Sequence, residues 1–302
     1  MLIDTYKNQL QLLKELGCNV PESYICPFCL QSFDDIKLLS LEDAPQEKLG
    51  GSKIALTCKG CNNGFGTTID CHLINYITET EDKKLPNGLN RPFNFIDPAT
   101  KQKFREILRT KNKQMEIVLT PNNNDPKVLD KEWDELKDSK LLYAEMVTNP
   151  NKRIPQNIAA ALLKNAYVIL FSYFGYTFIL NPFYDRFRSQ MNNPEEMIIP
   201  EGLIAREGVF GTVKDGVYVS DETPLRGFFV TFTLKKRENH NYAVFIPSIS
   251  NGYEQAIERL REIGKDDIVK LHPVVKSDSF WNNKERIQKL IEWATSIDMP
   301  WD

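Results

Sequence analysis

Two cysteine pairs of the same spacing, Cys26-Pro27-Phe28-Cys29 and Cys58-Lys59-Gly60-Cys61, limit what this chain can fold into more than any other feature. Each C-x2-C pair presents two thiolates about one tetrahedral edge apart, so two pairs enclose one Zn²⁺ with no open position, which makes such a site structural. The bland alternative is four reduced core thiols. It does not account for two knuckles joined by a loop long enough for a treble-clef-like turn. Between the pairs lie the adjacent carboxylates Glu42 and Asp43, then Pro45 and Gly50-Gly51, and the second pair runs directly into Asn62-Asn63-Gly64. The metal would act as a staple, holding acidic residues against an Asn- and Gly-rich segment where a second, catalytic ion could sit. On spacing alone Glu42 and Asp43 read first as an ordinary solvated loop, with Pro45 restricting the backbone before it to extended or turn forms.

The chain has 302 residues, of which 41% are hydrophobic, enough to bury a full core. Its formal net charge of −3 leaves no whole-protein electrostatic case for nucleic acid, only a local patch. Paired knuckles suit intracellular metal binding better than a secreted disulfide framework, and Cys18 and Cys71 are left over as small, partly buried thiols. The N-terminus lacks the pattern of a secretion signal, so a cytoplasmic protein is expected. The most apolar stretch, residues 158–180, is broken by Lys164, Asn165, Ser172 and Gly175, and reads as a buried helix rather than a membrane span.

Composition shifts suggest three segments: 1–88, a zinc module preceded by a packing helix over residues 2–16 that stops at Gly17; 89–150, a connecting region; and 151–302, a mixed unit. Within the first, short strands are expected around 36–41 and 54–56 and a helix from about 62 to 78. In the second, alternation at 93–96, a turn at Asp97-Pro98 and a strand at 115–119 suggest a hairpin, followed by an exposed helix over 127–142. The third opens with a helix from Pro155 to Phe174, apolar on nearly every face and closed by Gly175. Strands follow at 209–213, 217–219, 227–234 and 242–247, and amphipathic helices at 253–263 and 283–297. The expected class is α+β, with a central apolar helix beside an antiparallel sheet.

Lys101, Lys103, Arg105, Arg109, Lys111 and Lys113 fall within thirteen residues, opposed only by Glu106. They read either as a solvated helix face or as a track for phosphates, whose recognition by clustered Lys and Arg is independent of base sequence. The aromatic group Phe171, Tyr173, Phe174, Tyr176, Phe178, Phe183 and Tyr184 continues the apolar helix and reads as core.

The run Cys26-x2-Cys29 … Leu41-Glu42-Asp43-Ala44-Pro45-x3-Leu49-Gly50-Gly51 … Leu56-Thr57-Cys58-x2-Cys61-Asn62-Asn63-x-Phe65-Gly66-x2-Ile69-Asp70-x-His72 resembles the zinc-knuckle branch of the HNH endonucleases. The likeness spans residues 24–73, and a looser one extends over 160–176. It implies a ββα-metal hairpin and helix that cuts phosphodiesters in DNA with one divalent ion, in bacterial proteins of this kind often as defence against foreign DNA. It further implies Glu42 and Asn62 as ligands of that ion, beside structural zinc on Cys26, Cys29, Cys58 and Cys61. The family's catalytic histidine is replaced here by Asp43, and Ser52-Lys53-Ile54 offers no central asparagine. A carboxylate near pKa ~4 is a weaker base than an imidazole near ~6.5, so Asp43 would activate water only with the ion's help, or would itself be a ligand. Oxygen ligands of this kind suit Mg²⁺ or Mn²⁺.

At about 100° per residue, Asn63 and Asp70 share a helix face, whereas His72 lies opposite Asn63 and about 80° from Asn62. His72 enters the active site only if the glycines at 64 and 66 break the first turn, and is otherwise a packed or solvated histidine, as His240 and His272 are expected to be. The alternative to a nuclease is a catalytically degenerate zinc-binding module that binds nucleic acid or a partner protein. A protein partner, or self-association, is then expected through residues 151–302.

Overall fold

The computed structural model describes residues 2–82, 90–96, 103–111, 114–119, 125–127, 130, 154–196, 198–199, 205–207, 213–250, 253–263, 269–296 and 299–301. Contacts divide the chain into two units, residues 1–76 with 153–302 and residues 77–152. The zinc-knuckle segment and the C-terminal segment, set apart in the sequence as 1–88 and 151–302, therefore share one core.

That core is organised by one helix. The first helix, α1 (Leu2–Glu15), buries Tyr6, Leu10 and Leu13 along one face and ends where Gly17 takes φ 86°, a left-handed value that favours glycine. Then come the short antiparallel pair β1 (Tyr24–Ile25) and β2 (Ser32–Phe33), and the hairpin β3 (Leu39–Asp43) and β4 (Lys53–Cys58). Three helical pieces follow: α2 (Lys59–Phe65), a π-helical turn over Gly66–Asp70, and α3 (Cys71–Asp82). The long helix α4 (Pro155–Phe174) starts at its proline, where the missing N–H costs nothing, and closes at Gly175. It packs on β4 and the π turn, and also on the large sheet, so its apolar faces are covered from several sides. By length and composition alone α4 could cross a bilayer, but 83% of its apolar window is buried inside the protein, as in the core helix of a soluble fold.

Beyond α4 come α5 (Tyr176–Ile179), α6 (Asp185–Asn192) and the strands β8 (Ala205–Glu207), β9 (Gly216–Ser220), β10 (Gly227–Lys235) and β11 (Asn239–Pro247). With β12 (His272–Pro273) these form a five-stranded sheet in the order β12-β9-β10-β11-β8, all neighbours antiparallel. The helices α7 (Tyr253–Glu262), α8 (Ser279–Asn282) and α9 (Lys284–Thr295) complete the unit. As expected for core, Phe171, Phe174, Tyr176, Phe178 and Tyr184 are buried, and Phe171 stacks on Tyr6 at 5.1 Å between centroids. Tyr173 and Phe183 are half-buried.

Gln9 ties the N-terminal helix to this core. It is fully buried, its Nε2 donates to the carbonyls of Phe174 (2.8 Å) and Phe280 (3.0 Å), and its Oε1 accepts from Tyr176 N (2.7 Å). One side chain thus satisfies backbone groups exposed where α4 gives way to α5 at Gly175.

The second unit contains an antiparallel sheet in the order β5-β6-β7, from β5 (Asn90–Ile96), β6 (Lys103–Lys111) and β7 (Gln114–Leu119). The basic run is therefore strand rather than helix. The expected turn at Asp97-Pro98, strand 209–212, most of the helix at 127–142, Lys101 and Lys113 lie outside the described residues.

Candidate metal and ion-pair centre

The first knuckle sits where β1 turns into β2. Leu30 N donates to Cys26 O (2.9 Å), Cys26 N donates to Gln31 O (3.0 Å), and Leu30 takes φ 56° to close the turn. The second knuckle begins at the end of β4, where Cys58 is the N-cap of α2 and its Sγ accepts from Cys61 N at 3.3 Å. Cys58 N in turn donates to Cys26 Sγ at 3.4 Å. The four Sγ atoms of Cys26, Cys29, Cys58 and Cys61 lie within 4.8 Å of one another. The edge of a ZnS₄ tetrahedron with 2.3 Å bonds is about 3.8 Å, and Cys29 Sγ stands 3.9 Å from Cys58 Sγ. The four cysteines can therefore hold one tetrahedral ion such as zinc. Bound there, a dication would cross-link two hairpins and the start of a helix. The knuckle is also packed into the core: Phe28 meets Phe65 edge-on at 4.7 Å, and Tyr167 of α4 donates its hydroxyl to Pro27 O at 2.9 Å.

The hairpin that follows owes its shape to Gly50-Gly51. Gly50 takes φ 81°, and a Cβ on Gly51 would stand 1.6 Å from Pro45 O, so the loop 44–51 can fold back only on glycine. The β3–β4 register shifts between Glu42 and Asp43, a bulge that sends the two carboxylates into different surroundings.

Glu42 turns inward and is 1% exposed. Its Oε1 lies 2.6 Å from Lys164 Nζ, and the same ammonium lies 2.6 Å from Asp70 Oδ2. Asp70 comes from the π turn, whose wider coil presents it toward α4. Its Oδ1 accepts from Gln46 Nε2 (2.6 Å), and Gln46 Oε1 accepts from Asn165 Nδ2 (3.3 Å). One helical face of α4, carrying Asn157, Lys164 and Asn165 at i, i+7 and i+8, serves this network, and Asn157 Nδ2 donates to Thr68 O at 2.6 Å. Two carboxylates meet one fully buried ammonium. Burial pushes both Glu42 and Asp70 above the usual carboxylate range, against the pull of Lys164. Burial lowers the Lys164 ammonium, but Asp70 and Glu42 outweigh it and hold Lys164 above its ordinary value.

The other sequence-derived site residues take different roles. Asp43 is half-exposed and accepts from Glu47 N, capping the short 3₁₀ turn that follows. Asn62 Nδ2 donates to Leu41 O at 3.0 Å, tying α2 to the hairpin. The helix begins at Lys59, three residues before its expected start, and the π turn between Asn62 and His72 alters their angular relation. His72 is half-buried, with an Nδ1 that makes no hydrogen bond among the described residues. His240 lies buried in β11, and His272 pairs with Val219 at the sheet edge. Cys18 and Cys71 are partly buried thiols, as expected. Among the described residues, the four-cysteine cluster is the one group of His, Cys, Asp and Glu side chains with the geometry to hold a metal ion.

Lys164 was visible in the sequence only as an interruption. Its signal is that it is the single charged residue of a twenty-residue apolar helix, and a buried ammonium requires acidic partners. Comparison with protein families, with curated proteins and with solved structures finds no match to this chain.

Proposed function

We propose that this chain is a zinc-stapled ββα module of the HNH type that binds nucleic acid without cutting it, and that Glu42 serves the fold rather than a catalytic ion. The order of the β3–β4 hairpin, α2 and the four cysteines supports the ββα assignment. One observation carries the loss of catalysis: the Lys164 ammonium stands 2.6 Å from both Glu42 and Asp70. A hydrolytic Mg²⁺ or Mn²⁺ needs hard oxygen ligands, bound water and room for a phosphate. Glu42 is sealed from solvent and already neutralised by a side chain whose charge would repel such an ion. Asp43, in place of the family's base, is engaged in capping a turn.

A hydrolytic reading, with Glu42 and Asn62 on the ion, Asp43 as base and His72 nearby, retains one observation in its favour. Strand bulges concentrate beside active sites, and one falls between Glu42 and Asp43. Supercoiled plasmid separates the two readings. The non-hydrolytic protein should retard plasmid on a gel and leave it supercoiled in 10-fold steps of Mg²⁺ or Mn²⁺. Metal-dependent nicking that is lost in Glu42→Ala and Asp43→Ala, with zinc content unchanged, would establish the nuclease instead.

A further inference from the structure

The basic run changes meaning once it is a strand. Residues on a strand alternate between faces, so Lys103, Arg105, Ile107, Arg109 and Lys111 share one face of β6. The register carries that face onto both neighbours. On β5 it takes Asn90, Pro92, Asn94 and Ile96, paired with Arg109, Ile107, Arg105 and Lys103; on β7 it takes Gln114, Glu116 and Val118, paired with Lys111, Arg109 and Ile107. Four cations thus stand against a single carboxylate, Glu116, in a protein whose overall formal charge is −3. Arg109, Lys111, Gln114 and Glu116 are exposed. By the same register the opposite face takes Arg91, Glu106 and Thr110 among Phe93, Phe95, Phe104, Leu108, Met115, Ile117 and Leu119, so it is mainly apolar with one charge of each sign.

From this placement we infer that the cationic face of the β5-β6-β7 sheet is a docking surface for the phosphate backbone of duplex DNA. The inference rests on the nucleic-acid-binding reading above and assigns it a surface. Charge complementarity identifies the ligand as polyanionic. The positions of the three phenylalanines narrow it further: single strands are held by stacking bases on aromatic rings, and no aromatic residue falls on the cationic face. What remains is cations with amide donors at Asn90, Asn94 and Gln114, the set that contacts phosphate and sugar and fixes position without reading sequence. The row from Lys103 to Lys111 extends about 27 Å at about 3.4 Å per residue. That is the axial length of roughly eight base pairs.

Four phosphate contacts predict that log Kobs falls with log[salt] at a slope of about −3.6, or roughly 150-fold weaker binding between 50 and 200 mM salt. The test measures binding of the full chain to a fluorescent 20-base-pair duplex across that range. Arg109→Gln/Lys111→Gln should reduce the slope by about 2 and weaken binding equally for duplexes of unrelated sequence. The control Lys284→Gln/Lys289→Gln removes the same charge from exposed positions elsewhere and should leave the slope unchanged. Matching thermal melts establish that the variants fold. Duplex binding whose slope is the same in wild type and in the β6 variant overturns the inference while leaving the nucleic-acid reading standing. A wild type that binds neither duplex nor single strand overturns both, as does preference for anionic phosphatidylserine vesicles over duplex. Single strands bound more tightly than duplex overturn the duplex assignment.

Discussion

Replacing Lys164 with methionine removes the one cation among the described residues that pairs with the two buried carboxylates, with little change in side-chain volume. Lys164 is 0% exposed, Glu42 1% and Asp70 7%, so neither acid can recover its solvation by turning to water. Deleting one partner of a buried ion pair costs about 3–5 kcal/mol, because it strands an uncompensated charge. Against a total stability of about 5–15 kcal/mol, that is a large share. The cost should depend on pH. Glu42 and Asp70 are held above their ordinary values, so between about pH 4 and their folded values the native state binds more protons than the unfolded chain, and their favourable contribution is present on the acid side and lost as pH rises. Without Lys164 both values rise further. Lys164→Met should therefore be least stable at pH 8 and recover on acidification by up to about 1.4 kcal/mol per pH unit for each proton taken up. Glu42→Gln is the counterpart: it keeps an oxygen for the ammonium, leaves a one-to-one pair with Asp70, and should stay within about 1 kcal/mol of wild type. Urea denaturation followed by the fluorescence of buried Trp281 and Trp293 reads both. If Lys164→Met matches wild type within 1 kcal/mol from pH 5 to 8, or Glu42→Gln costs as much as Lys164→Met, the ammonium is not what neutralises this site.

Two further outcomes follow from the same core. Purified protein should contain one equivalent of zinc, with Cys26→Ser or Cys58→Ser lowering that content. Chelation should release it together with the Phe28 and Tyr24 packing, since a structural zinc site supplies about 10 kcal/mol of apparent folding free energy in small zinc modules. Retention of an unchanged melting temperature after complete zinc removal would show that the knuckles fold without metal. Gln9→Leu leaves the Phe280 carbonyl and the Tyr176 N–H without the Gln9 side chain, while Phe174 O keeps its bond from Thr177 Oγ1, and should cost about 2–4 kcal/mol, measured by the shift in urea midpoint. A shift under 0.5 kcal/mol would mean that the α4–α5 junction does not depend on it.

Elements specified by local chemistry were legible in the sequence. Pro155 and Gly175 bound α4, Gly17 ends α1, and the alternating β-branched and aromatic residues of 227–234 and 242–247 mark β10 and β11. Two periods competed in the basic run: Lys101, Arg105, Arg109 and Lys113 repeat every four residues, as on a helix, whereas Lys103, Arg105, Arg109 and Lys111 keep to odd positions, as on a strand. Cross-strand pairing on both sides of β6 decides for the second. The early start of α2 was hidden because cysteine is an unusual N-cap and Gly60 and Gly64 oppose helix. The ion-pair centre was out of reach for a different reason. Lys164 stands 122 residues from Glu42 and 94 from Asp70, and no local pattern encodes a contact of that range. The separation of the knuckle module from the C-terminal segment failed with it, since a helix apolar all round requires cover that β4 and the knuckle provide.

The position of Lys164 in α4 bears on whether a hydrolytic ion could be admitted by a small adjustment. Moving the ammonium away means either a new path for its side chain or a displaced helix. The first is closed by packing: neighbours Leu163 and Asn165 are buried, as are Ala161 and Val168 on adjoining turns. The second requires α4 to leave β4 and the π turn while it remains packed on β9, β10 and β11 at its other faces. Close-packed interiors do not yield by small continuous shifts. On the proposed reading, admitting a dication at Glu42 would require repacking the shared core, because the ammonium beside it is the same group that joins the hairpin to the helix.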